Sequence, residues 1–200
     1  MRRVIMSYLN SNKLKHTCCV ISMVFMCLIN ISCGNEKTNE MVKDIKTFMS
    51  KQIDIPKRLM DKRICSMFRD STSARSVYLI KWFDASECTS CMASTIANHE
   101  ALYLDKNKNV EFVYIINSHQ HEVENIYRGL CSKRVKGTVY LDTCNAFFKA
   151  NPHIPESELY HTFVVNKQGK VLMVGNPFKN QQMKTLLDKV IANEQEKVKD

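Results

Sequence analysis

A Cys-x-x-Cys motif between a predicted strand and a predicted helix is the feature that most constrains the fold. The apolar run Val77 to Phe83 precedes it and favours a strand, and Met92 to Leu104 is typical of a helix. At the start of a helix, free N–H groups and the helix dipole favour a thiolate, so one of Cys88 and Cys91 would be reactive. The second cysteine lies one helical turn later, within reach of a disulfide. The motif therefore predicts thiol–disulfide exchange.

The first 32 residues are predicted to be an export signal rather than part of the fold. Their basic residues end at Lys15, and Cys18 to Ile31 is an uncharged, mostly apolar run of 14 residues. Such a run is short for a membrane-spanning helix but suits a signal-peptide core. It leads to Cys33 and a polar tract, which resembles a bacterial lipoprotein signal with Cys33 as the lipid-bearing residue. The alternatives, an ordinary secretory signal or an uncleaved anchor, also export the domain.

Charge does not indicate nucleic-acid binding. The formal net charge is +9, but beyond the signal 25 basic and 20 acidic residues remain, which is a mildly basic balance. The only tight basic cluster, Lys133, Arg134 and Lys136, has no interleaved aromatic residues. A length of 200 residues allows one ordinary domain with a sizeable core.

The predicted elements alternate between strand and helix before a hairpin and a closing helix. Strands are predicted at Val77–Phe83, Val110–Ile116, Thr138–Leu141, Tyr160–Val165 and Lys170–Val174, and helices at Cys88–Leu104, His119–Cys131, Asn145–Ala150 and Gln181–Ala192. The hairpin turn carries Gly169, placed for a positive φ. An amphipathic helix around Ile45 and a second helix over Arg58–Arg69 are predicted before the first strand, with Ile53 to Pro56 as an edge strand or extended connector between them.

Four segments follow from this pattern. We predict a lipoprotein signal peptide at 1–32, a tether and N-terminal extension at 33–76, the folded domain at 77–194 and a C-terminal tail at 195–200.

The succession resembles thioredoxin-like proteins over about Val77 to Ala192, and is closest to membrane-tethered, extracytoplasmic members. The residues that carry the resemblance are Lys81-Trp82-Phe83, Cys88-Thr89-Ser90-Cys91 and Thr162-Phe163-Val164-Val165-Asn166 before the glycine turn. It implies an α/β thioredoxin-like fold, a central mixed sheet flanked by helices. It also implies that Cys88 is the nucleophile and Cys91 the more buried, resolving thiol.

Three positions depart from the family pattern. His161 stands where such proteins usually carry a cis-proline facing the cysteine pair, and without proline we expect a trans peptide bond there. His161 could assist the thiolate or be a partly exposed spacer. Trp82, six positions before Cys88, takes the place of a buried carboxylate. A charged Glu87 close to Cys88 would raise the pKa of that thiol. The third departure is the Thr89-Ser90 dipeptide, which lacks the proline common between such cysteines.

Two further cysteines lie in the predicted domain. Cys131 and Cys144 could form a second disulfide in an oxidising compartment, or they could be buried free thiols. Zinc could be held by these and the motif cysteines, or with His161 in place of one of them, and copper by the motif cysteines with His161 or Met92. Twelve residues separate Cys131 from Cys144, so the zinc-ribbon spacing is missing. We therefore predict neither a metal nor another cofactor.

The sequence thus predicts an exported thiol–disulfide exchange protein that is anchored to a membrane by lipid and faces the periplasm or exterior. Its expected partners are the thiols and disulfides of other exported proteins, together with an unidentified redox partner. A different class of function remains open: a non-catalytic binding or scaffold lipoprotein with the same fold, whose cysteines are structural.

Overall fold

The structure, a computed structural model of the chain, describes residues 36–60, 77–84, 87–103 and 110–197. The chain divides into two compact units, residues 1–44 and residues 45–200. Of the first unit the structure describes residues 36–44, which are helical. The predicted signal, Cys33 and most of the predicted helix over Arg58–Arg69 lie outside the described residues. Within the described part of the chain, no helix combines the length and hydrophobicity needed to cross a membrane.

The second unit alternates helices and strands as predicted. Its helices are α1 (45–49), α2 (Lys57–Met60), α3 (Thr89–Tyr103), α4 (Val123–Ser132), α5 (Ala146–Ala150) and α6 (Gln181–Glu196), and its strands are β1 (Val77–Phe83), β2 (Val110–Asn117), β3 (Thr138–Asp142), β4 (Thr162–Asn166) and β5 (Val171–Val174). Short 3-10 turns at Gln120–Glu122 and Glu158–Tyr160 precede α4 and β4.

The strands form one mixed sheet in the order β3-β2-β1-β4-β5. β1 pairs in parallel with β2 and β2 with β3, whereas β4 is antiparallel to both β1 and β5. The continuous apolar run of β2 follows from this topology, since a strand between two parallel neighbours is covered on both faces. Seven of its eight residues are buried. The order and directions confirm the predicted thioredoxin-like fold class.

Two apolar layers cover the faces of the sheet. On one face Leu79 and Phe83 of β1 belong to a cluster with the buried side chains of α3, α4 and α6. On the other face Ile80 and Trp82 belong to a cluster that includes Phe48 of α1 and residues of α2 and α5. Because successive side chains of a strand point to opposite faces, Lys81 lies on the face that carries α3, between Leu79 and Phe83.

Some element boundaries differ from the predicted ones because short turns take the place of regular helix or strand. The predicted helix from His119 begins as a 3-10 turn, and Tyr160 closes a 3-10 turn before β4 instead of starting the strand. Ile53 lies in an extended connector whose N–H donates to the Gly169 carbonyl at 2.8 Å. Gly169 has the predicted positive φ of 78°, and a Cβ there would meet the Ile53 carbonyl oxygen at 2.5 Å.

His99 lies in the first apolar layer rather than in solvent. Its ring stacks on Phe178 with centroids 4.3 Å apart, and 8% of the residue is exposed. Burial and, as the smaller cause, the positive charge of Lys81 lower the pKa of His99 to about 4. The imidazole is therefore neutral in the folded protein at neutral pH, whereas in the unfolded chain it takes up a proton near pH 6.5.

This difference predicts a pH-dependent stability. Below pH 6.5 the unfolded chain binds a proton at His99 that the folded protein excludes until about pH 4, so the free energy of unfolding should fall by about 3 kcal/mol across that window. His99→Phe keeps the ring against Phe178 and removes the titration. Chemical unfolding of both proteins should show a stability difference that favours the variant increasingly as pH falls. A difference that stays constant from pH 7 to 4.5 would contradict this assignment.

Candidate redox site

Cys88 occupies the N-cap of α3. Its carbonyl accepts the first bond of the helix, from the Met92 N–H at 2.9 Å, while Cys88 itself precedes the first helical residue. β1 ends at Phe83, and the Glu87 N–H donates to the Asp84 carbonyl at 3.1 Å. A side chain at an N-cap can accept from the unpaired N–H groups of the first turn. The fold thus places the Cys88 sulfur where those donors converge.

Hydrogen bonding favours the anionic form of Cys88. The pKa of its thiol is lowered to about 7, first by a hydrogen bond from the Cys91 side chain, then by one from Ser90 and by the Cys91 backbone N–H. The Ser90 Oγ lies 3.1 Å from the Cys88 Sγ. Cys88 is exposed, so this sulfur is reachable from solvent. At neutral pH about half of it would be thiolate.

Cys91 has the opposite character. The pKa of its thiol is raised, first because it donates a hydrogen bond to Cys88 and then because the Cys88 thiolate repels a second negative charge. Cys91 was expected to be the more buried of the two, but it is exposed, as is Cys88. Met92 and Ile96 turn the buried side of α3 to the sheet, and Cys91 shares the outer side with exposed Leu102. The asymmetry of the pair comes from hydrogen bonding rather than burial.

His161 lies at the edge of the sheet where β1 ends. Its carbonyl accepts from the Trp82 N–H at 2.9 Å, and β4 begins at the next residue. The described residues contain no cis peptide bond, so the expected trans geometry before His161 is confirmed. The ring is 7% exposed and therefore no partly exposed spacer; it packs edge-on against Trp82 at 4.6 Å and Phe148 at 5.5 Å.

The imidazole of His161 is neutral at neutral pH. Burial lowers its pKa most, and the charge of Lys81 adds to this, whereas Glu158, Asp84 and a hydrogen bond to the Pro155 carbonyl oppose it. Its Nε2 is buried and has no hydrogen-bond partner among the described residues. The His161 ring therefore supplies no positive charge that would stabilise the Cys88 thiolate.

Lys81 is the residue that sequence reasoning missed. The resemblance put Trp82 at the position of a buried carboxylate, but alternation along β1 turns Trp82 to the face away from α3 and Lys81 to the α3 face. The Lys81 Nζ lies 4.5 Å above the Phe83 ring. Burial lowers its pKa, while the carboxylates of Glu87 and Glu158 raise it. The sequence signal that could have drawn attention to Lys81 is a lysine within an otherwise apolar strand.

The suggested bridge between Cys131 and Cys144 conflicts with the topology. Cys131 lies at the end of α4, which leads into the start of β3, whereas Cys144 follows the end of β3. The strand between them spans about 15 Å, well beyond the roughly 7 Å across which a disulfide can form. Both are free thiols, and Cys144 is exposed rather than buried. In the described part of the chain, no group of three or more His, Cys, Asp and Glu side chains is arranged to hold a metal ion.

The low pKa of Cys88 predicts its alkylation profile. The rate of labelling with iodoacetamide should rise with pH to a midpoint near 7 and level off by about pH 9, because the thiolate is the reacting form. Ser90→Ala removes one donor and should move the midpoint upward. Labelling at Cys144, which is also exposed, serves as the internal reference, and peptide mass spectrometry separates the sites. A Cys88 rate that still climbs steeply above pH 8.5 would contradict the assigned hydrogen bonds.

No protein-family model matches this sequence, and no curated protein matches it. Several solved structures are similar to it. A thioredoxin-like protein from Porphyromonas gingivalis shares 17% identity, with 59% of this chain and 75% of that chain covered and a TM-score of 0.41. A thioredoxin-like protein solved in its oxidised form shares 16% identity over 71% of this chain and 97% of that chain, with a TM-score of 0.46. The exposed lipoprotein thioredoxin of Streptococcus pneumoniae shares 15% identity over 57% and 83%, with a TM-score of 0.39. The chain is similar to these proteins, and its own strand order and pairing directions give it a thioredoxin-like fold.

Proposed function

We propose that this protein exchanges thiols and disulfides with other exported proteins through Cys88 and Cys91. The observation that carries the proposal is the exposed Cys88 sulfur at the N-cap of α3, with a pKa of about 7, beside a Cys91 thiol whose pKa is raised. At neutral pH Cys88 is partly a thiolate, which can attack a disulfide, whereas Cys91 keeps its proton until the second step. That division of roles is what a two-step exchange requires.

In the reductive direction the Cys88 thiolate attacks one sulfur of a substrate disulfide. The substrate S–S bond breaks, a mixed disulfide forms, and the departing substrate sulfur takes up a proton. Cys91 then loses its proton and attacks the Cys88 sulfur, which releases the second substrate thiol and leaves a Cys88–Cys91 disulfide. Two electrons pass from the cysteine pair to the substrate, and the same steps in reverse oxidise a dithiol.

The electrostatics of the pair fit both steps. As long as Cys88 is a thiolate, its charge and its hydrogen bond hold the Cys91 proton in place. Once Cys88 is bound in a mixed disulfide, that charge is gone and the Cys91 thiol ionises more easily. Because Cys91 is exposed, its proton can pass to water without an internal base.

The setting of the reaction is proposed from the sequence. The apolar run before Cys33 and the polar tract after it support export and lipid attachment at Cys33, which would hold the domain at a membrane facing the periplasm or exterior. Disulfides persist in such compartments, so exported proteins are the proposed substrates. An unidentified redox partner must restore the pair after each turnover.

Substitution of the motif cysteines tests the proposal. The full-length protein should reduce the disulfides of insulin in the presence of dithiothreitol, and Cys88→Ala should abolish this activity. Cys91→Ala should instead trap a mixed disulfide, because the resolving thiol is missing. Cys144→Ala, the matched control at another exposed cysteine, should retain the parental rate.

The same assay separates the alternative class of function. A folded protein that shows no exchange, or an exchange rate that Cys88→Ala leaves unchanged, would contradict the proposal and favour a scaffold lipoprotein with structural cysteines. Circular dichroism of each variant establishes that the fold is retained.

A further inference from the structure

The end of the sheet that lies farthest from Cys88 carries exposed cations from two loops. Val77, at the start of β1, pairs with Asn166 before the β4–β5 turn, whereas Cys88 follows the end of β1. The 7 residues of β1 hold these two ends about 20 Å apart. Because β1, β2 and β3 are parallel, the loop from α4 into β3 lies at the same end as Asn166. This loop carries the exposed cluster Lys133, Arg134 and Lys136.

The β4–β5 turn presents two further cations on a fixed backbone. Asn166 Oδ1 accepts from the backbone N–H groups of Gln168 and Lys170, each at 3.0 Å, which holds the turn in shape. Lys167 and Lys170 are both exposed, and neither belongs to an ion pair among the described residues. Gln52 forms an antiparallel bridge with Lys170, so the exposed Lys51 lies beside this turn as well.

A cavity of about 280 Å³ beside the turn is lined by Lys167, Lys170 and Lys197, together with Glu194. Glu194 is 8% exposed, and its Oε1 accepts from the Lys197 Nζ at 2.6 Å. The carboxylate in the cavity is therefore already balanced, and the charges of the two turn lysines are left for an anion from outside.

The two ends of the domain thus differ in the sign of their charge. We call the far end the basic end; its exposed cations are Lys51, Lys133, Arg134, Lys136, Lys167, Lys170 and Lys197, against the exposed carboxylates Asp54 and Glu196. We call the end with the motif the acidic end; its exposed carboxylates are Glu87, Glu156 and Glu158, the last two in the segment that leads into β4. An anionic surface attracts the basic end and repels the acidic one.

We propose that the basic end is the surface through which the domain lies on the anionic lipid headgroups of a membrane, with Cys88 turned away from the lipid. This inference rests on the export and lipid attachment included in the proposed function. Gln52 follows Cys33 by 19 residues, so the chain keeps the basic end within about 65 Å of the attached lipid. Clustered lysines and arginines held near anionic headgroups bind them. The redox pair then faces the compartment in which exported substrates are found.

Reductive methylation of lysines measures this contact in the full-length protein. The protein is added to vesicles of phosphatidylcholine alone or mixed with phosphatidylglycerol, and peptide mass spectrometry reports each lysine. On the anionic vesicles Lys136, Lys167 and Lys170 should react about three-fold more slowly than on the neutral ones, because headgroups cover them. Lys149 and Lys179, which are exposed near the acidic end, should react equally on both. About 0.5 M NaCl should remove the difference, since salt screens the attraction.

Charge reversal at matched positions supplies the control. Lys167→Glu combined with Lys170→Glu should return the methylation rate of Lys136 on anionic vesicles to its rate on neutral ones. Lys149→Glu combined with Lys179→Glu changes the net charge equally and should leave that protection in place. All four lysines are exposed, so both variants should keep the fold, which circular dichroism checks.

Three results would overturn the proposal. The first is equal methylation of the basic-end lysines on both kinds of vesicle, and the second is protection of Lys149 and Lys179 instead. The third is equal protection by inorganic phosphate without vesicles, which would assign the cavity to a free anion. Methylation needs no disulfide substrate, so protection without insulin reduction would sustain the docking surface while rejecting exchange, and exchange without protection would do the reverse.

Discussion

The donors that converge on the Cys88 sulfur exist only because α3 begins at the residue after it. β1 ends at Phe83, the Glu87 N–H donates to the Asp84 carbonyl, and Cys88 then caps the helix. The position of the helix start is fixed by the parallel pairing of β1 with β2 and by the burial of Met92 and Ile96 against the sheet. A shift of the helix start by one residue would aim the N–H groups elsewhere, and the thiol would lose its low pKa. The sheet therefore fixes where α3 begins, and the start of α3 lowers the pKa of Cys88.

Hydrogen bonds rather than a neighbouring cation account for the acidity of Cys88. A positive charge beside the thiol would favour its thiolate, but His161 is buried and neutral. Lys81 is half-buried on the α3 face, where burial lowers its pKa. The low pKa of Cys88 comes instead from the Cys91 and Ser90 donors at the start of α3.

Much of the fold could be predicted from patterns within single helices and strands. The site could be predicted less well, because it depends on contacts between elements. β1 was predicted at its observed bounds because a strand buried on both faces needs a continuous apolar run, and α3 was predicted in the segment that the Cys-x-x-Cys motif opens. The exposure of Cys91 and the burial of His161 depend on which side of an element faces the sheet, and no local pattern encodes that. For the same reason, the sequence did not indicate that Trp82 faces away from α3 and Lys81 towards it. The choice between a Cys131–Cys144 bridge and free thiols also depends on the fold, because β3 runs between the two cysteines.

The equilibrium between the cysteine pair and a defined redox buffer tests the central claim most directly. We expect the full-length protein to form and break a Cys88–Cys91 disulfide in a single two-electron transition, with a tenfold change for about 30 mV of poise. A midpoint near −270 mV would assign it as a reductant and one near −120 mV as an oxidant, and either value agrees with the account. A pair that forms no intramolecular disulfide at any poise, although the protein is folded, would contradict it.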